Sequence, residues 1–134
     1  MKQIIFTSDR YFSFCGYLIS HDQLLIRSPK EGDQKFNIDI IFFGTMFLQV
    51  TTYLSGITIS RVEKDIANKY EFFSKYSHYE SCNLFEIISG EKKHYIVAGF
   101  FHVFENELEM NETSLGMDYV GREKRIAGSH TEKV

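Results

Sequence analysis

The sequence predicts a mainly β domain bordering on the α+β class: an antiparallel β-sandwich or open barrel of about seven to eight strands, with one helix near residues 61–76. Three observations lead there. Thirteen Phe and eight Tyr among 134 residues are side chains that suit a pleated, half-buried surface. Short apolar runs recur between turn-forming residues, the pattern of strands in an all-β fold. A 3.6-residue apolar period shows in one segment only, behind Ser60.

The elements follow in order. Lys2 to Ser8 reads as a short β-prone run that stops at Asp9. Tyr11 to Ile19 and Leu24 to Ser28 flank the polar Ser20-His21-Asp22-Gln23, the pattern of a hairpin. Gly16 inside the first of these runs predicts a bulge or a close backbone approach. Pro29 to Lys35 carries Pro, Gly and Asp and is a loop. Phe36 to Phe43 is the most apolar run; Gly44-Thr45 breaks it, and Met46 to Tyr53 resumes before a turn at Gly56 and a short strand, Ile57 to Ile59.

Ser60 and Glu63 have the spacing of a capping box. Behind them Val62, Ile66, Tyr70 and Phe73 fall on one helical stripe. A helix from about Arg61 to about Tyr76 is therefore expected. Asn83 to Ser89 and the long run His94 to Phe104 form a second hairpin about the Gly90 to Lys93 turn. In one unbroken strand Tyr95, Val97, Phe101 and Val103 share a face, and Ile96, Ala98, Phe100 and Phe104 share the other. Both faces are apolar, as in a central strand covered on two sides. Glu105 to Met110 either extends this strand, with its glutamates in water, or makes a helical turn.

A chain of 134 residues is the size of one domain. Residues 1–115 are expected to form the globular part and residues 116–134 a polar, mobile tail. The net charge of −3 and the scatter of Lys and Arg argue against nucleic acid; Arg122, Lys124 and Arg125, interrupted by Glu123, read as part of the solvated tail. Cys15 and Cys82 make no metal site. Both sit in apolar neighbourhoods, where free Cys behaves as a small buried hydrophobe, and a bridge between them stays open. The N-terminal apolar run is too short for a signal peptide or a membrane span, so the cytoplasm and no membrane partner are expected.

Candidate chemistry is sparse. Ser20, His21 and Asp22 carry the letters of a hydrolytic triad, but triad members converge from separate segments. His94 and His102, eight apart, would lie about 27 Å apart along one strand, too far to share a metal. His102 and Glu105 differ in parity, which disfavours an acid–base pair between them. No metal, cofactor or nucleotide motif is present, and no catalytic residue is assigned.

Asp39 stands out, because a carboxylate in the run Asn37 to Ile41 is costly to bury unpaired. A pair with Arg27 on the preceding strand is the expected reading; a general acid or base is the alternative. The acidic run Glu105, Glu107, Glu109 and Glu112 reads as a solvated edge, with a basic partner as its functional alternative. Functionally, the sequence favours a non-enzymatic protein-interaction module, its partner another protein or a second copy. A binder of a small apolar ligand in a cavity of the β-structure is the alternative, and an enzyme using Asp39 or a histidine is the third reading.

Overall fold

The computed structural model describes residues 2–76 and 78–129. A single strand, β1 (Lys2–Leu18), organises the sheet. Where the sequence suggests two runs broken at Asp9, the chain stays extended and takes up Asp9 and Arg10 as a bulge, so that the register against β5 (Tyr53–Val62) jumps between Ser8 and Tyr11. Two further bulges fall at Ile5, against β5, and at Cys15, beside Gly16, against β2 (Gln23–Ser28). Lys2 to Ser13 pair with β5, whereas Ser13 to Leu18 pair with β2. Bulges bend a strand and sharpen its twist, and β1 thereby belongs to both wings of the sheet.

The other strands are β3 (Asn37–Phe43), β4 (Phe47–Gln49), β6 (Asn83–Ser89), β7 (Lys92–Ala98), β8 (Phe100–Asn106) and β9 (Lys124–Gly128). All pair antiparallel in one open sheet of nine strands, in the order β4-β7-β6-β5-β1-β2-β3-β8-β9. The wings face one another. Phe85 on one meets Phe42 and Phe101 on the other, with ring centroids 5.8 and 5.2 Å apart. Phe12, Leu24, Ile40, Ile59, Ile87 and Ile96 complete a filled core between them, all inaccessible to solvent.

Gly99 is the hinge of this arrangement and corrects the long strand expected from His94 to Phe104. It separates β7 from β8, which lie in opposite wings. Its N–H donates to the Phe43 carbonyl at 2.9 Å, and a Cβ there would press to 3.3 Å from the same oxygen. The break also reverses side-chain parity. Ile96 and Ala98 share the core with Phe101 and Val103, whereas Phe100, His102 and Phe104 stand on the outer face of β8.

The helix expected over residues 61–76 is replaced by two four-residue helices, α1 (Lys64–Ala67) and α2 (Glu71–Ser74), with Tyr70 extended between them. Ser60 is no cap: it lies within β5, opposite Ile4 and Glu86. The β5 ladder runs on through Val62, so pairing on both sides outweighs the local capping signal. The apolar stripe still does its work. Phe73 and Ala67 are fully buried against Val62, Leu84 and Val97, with Ile66 and Tyr70 packed beside them. The segment thus covers the outer face of one wing.

From Gly116, where the sequence suggests a polar tail, the chain lies back on the sheet. Residues 107–123 form a strap over the outer face of β2, β3 and β8, and β9 follows as a paired strand. The strap is held mostly by polar bonds, which composition does not reveal. Residues 130–134 of that expected tail lie outside the described residues.

His94, opposite Ile87 at the end of the core face, is buried. Burial pushes its imidazole pKa down, and Lys92 adds to the effect. The folded state therefore binds this proton less well than the unfolded chain. The contribution is intact above the unfolded pKa of about 6.5 and is lost as pH falls through the lower folded value. Replacing His94 by Leu should shift the stability difference from wild type in the variant's favour between pH 7.5 and 5, measured by urea unfolding. A difference independent of pH counts against a neutral buried imidazole.

Candidate functional site

Arg27 and Asp39 face each other in register across β2 and β3. The pair is bidentate: Arg27 Nε donates to Asp39 Oδ1 at 2.6 Å and Nη2 to Oδ2 at 2.9 Å, with both residues buried. Asn106 Nδ2 and Ser114 Oγ also donate to Asp39 Oδ2, at 2.9 and 2.7 Å, and Arg27 Nη1 donates to the Glu112 carbonyl at 2.9 Å. Burial opposes the charged guanidinium, but the bonds and charge of Asp39 outweigh it, so the Arg27 pKa lies above its ordinary value. Asn37 and Asn106, joined side chain to side chain, extend the network to the carbonyls of Leu108 and Gly121. Among the described residues, every partner of this carboxylate belongs to the sheet or the strap. Chemically the cluster is a clamp that holds the strap down.

The remaining sequence candidates do not converge. Asp22 accepts from Tyr17 Oη at 3.1 Å, while Ser20 bonds its neighbour His21 at 2.8 Å, so no triad forms. His94 and His102 face opposite sides of the sheet. Asp39 and His102 share the outer face, but Asp39 pairs with Phe104 and His102 with Ile41. The acidic run is no extended edge: β8 ends at Asn106, Glu105 pairs with Lys124 at 2.7 Å, and Glu109 pairs with Lys30 at 2.7 Å. Cys82 is buried as expected, but Cys15 is exposed at its bulge, and both are free thiols. Among the described residues, no group of His, Cys, Asp and Glu side chains is arranged to hold a metal ion, and no helix is long and apolar enough to cross a membrane.

His102 does belong to a concave site that the sequence does not reveal. The rings of Phe43, Phe100, His102 and Phe104 pave the outer face of β3 and β8, with Phe43 and Phe100 stacked at 4.7 Å. Met117, Tyr119 and Arg122 from the strap and Arg125 from β9 wall a cleft of about 520 Å³ above them. Arg122 lies over the Tyr119 and Phe43 rings, at 4.6 and 5.7 Å.

A second surface runs between the two covers. Register places Ile4, Thr7, Tyr11 and Ser13 of β1 beside Ser60, Thr58, Ser55 and Tyr53 of β5. These residues point away from the Phe12 and Leu54 side chains that enter the core. Tyr11 and Tyr53 stack at 5.7 Å and remain 56% and 62% exposed. Charge enters this stripe at the Asp9–Arg10 bulge, where the exposed Asp9 borders hollows shared with Thr7 and Thr58 and with Tyr11 and Tyr53. No protein family, curated protein or solved structure matches the chain, so function rests on these surfaces alone.

Proposed function

We propose that the protein is a non-enzymatic interaction module that pairs with a second copy of itself through the outer face of β1 and β5. The exposed, stacked Tyr11–Tyr53 pair on a stripe of hydroxyl side chains is the observation that carries this reading. Asp9, Glu31 and Asp33, against Arg10, border the pair, so self-association works against a like-charge repulsion that salt screens, and ring and hydroxyl contacts supply its favourable part. An isologous contact also requires a surface that complements itself. Hydroxyl and aromatic side chains meet that need, because each hydroxyl both donates and accepts, and tyrosine adds contact area at little conformational cost. The hollow of about 640 Å³ beside both tyrosines, bordered by Pro29 and Gln34 and by the charged Asp9, Arg10, Glu31 and Asp33, would receive rings from the other copy.

Sedimentation velocity over a concentration series tests this reading. Wild type should shift from monomer to dimer as concentration rises, and the Tyr11→Glu/Tyr53→Glu variant should stay monomeric with an unchanged melting temperature. A wild type that is monomeric throughout, or a variant that dimerises as well as wild type, overturns the reading.

A further inference from the structure

We propose that the cleft between the strap and the outer face of β3 and β8 is a binding site for a small planar aromatic carboxylate. Its location is separate from the tyrosine stripe, and the inference does not depend on self-association.

The aromatic half of the inference rests on the floor. Phe43, Phe100, His102 and Phe104 present contiguous rings, and offset or edge-on packing against such rings favours a flat aromatic guest. The volume of about 520 Å³ falls in the range of small-molecule sites. Tyr119 and Met117 stand at the rim, 65% and 59% exposed. Tyr119 has a φ of +60°, a left-handed conformation that residues other than glycine seldom adopt. The strap holds it there with its ring against Arg122.

The anionic half rests on Arg122. Lys2, Arg27, Lys30 and Lys124 each reach a carboxylate, on Glu86, Asp39, Glu109 and Glu105. Arg122 is half-buried, donates from Nη2 to the Gly116 carbonyl at 2.6 Å, and has no carboxylate within ion-pair distance among the described residues. Its Nε is buried without an acceptor among those residues. Burial works against its charge and holds its pKa below the ordinary value, with Tyr119 opposing. Glu123 also lines the cleft but is exposed, where solvent screens its charge. A ligand carboxylate entering the cleft would supply the missing counter-charge while its ring covers the floor.

Titration calorimetry with 2-naphthoate, 2-naphthamide and acetate on the full chain tests the assignment. A charge-assisted contact to a guanidinium predicts that naphthoate binds about tenfold or more tightly than the uncharged amide, with acetate too weak to detect. Arg122→Gln should reduce naphthoate to the level of the amide, and Arg122→Lys should restore part of the difference. The Tyr11→Glu/Tyr53→Glu variant should bind naphthoate like wild type, which separates this site from the self-association face. Absence of naphthoate binding, equal affinity for acid and amide in wild type, or undiminished binding by Arg122→Gln overturns the proposal.

Discussion

Replacing Asp39 by Ala is expected to lower stability by about 3 to 5 kcal/mol, because a buried guanidinium then loses its counter-charge. The loss should exceed that of one neutral hydrogen bond, about 1 kcal/mol. Asn106 and Ser114 lose an acceptor in the same step, and the strap loses its attachment at Ser114. Arg27→Met in the Asp39→Ala background should recover much of the loss, since removing both charges also removes their desolvation. Urea unfolding of wild type, both single variants and the double variant reads this directly as a double-mutant cycle. Hydrogen exchange should rise over the strap in the single Asp39 variant while the β5–β6 ladder stays protected. Stability unchanged by Asp39→Ala would mean that the pair does not anchor the fold and would return Asp39 to consideration as a reactive group.

Phe101→Ala should cost about 3 to 5 kcal/mol, the usual loss for a fully buried aromatic ring. Its ring lies between Phe42 and Phe85, at 5.1 and 5.2 Å, where the two wings meet. Phe100→Ala should cost clearly less, because that ring paves the outer cleft and is only partly buried. The contrast between neighbours tests the reversal of parity at Gly99. If Phe100 proved the more damaging site, the two strands would run without the break.

The sequence makes the fold class legible because aromatic and β-branched runs are punctuated by Gly, Pro and polar turns. It also makes the Arg27–Asp39 pairing foreseeable: a buried carboxylate needs a cation, and the adjacent strand supplies one. Three features escape it for physical reasons. Ser60 and Glu63 satisfy a local helix rule that a two-sided β-ladder overrides. Gly99 is one glycine in an apolar run, and nothing local signals that the strands around it join different wings. Asn106, Ser114 and Arg122 acquire their meaning only when the strap folds back, and their partners at Asp39 and Phe43 are more than sixty residues away. The composition of residues 116–129 looks like a tail because the strap is anchored by backbone carbonyls and polar side chains rather than by apolar burial.

The self-association face is tested most directly by intermolecular NOEs in a dimer assembled from one isotope-labelled and one unlabelled copy. The proposed pairing predicts cross-copy contacts from the Tyr11 and Tyr53 rings to the other copy's stripe, including the methyl groups of Thr7 and Thr58. Cross-copy contacts confined to the β4 or β9 edge, with none from the two tyrosine rings, would contradict it.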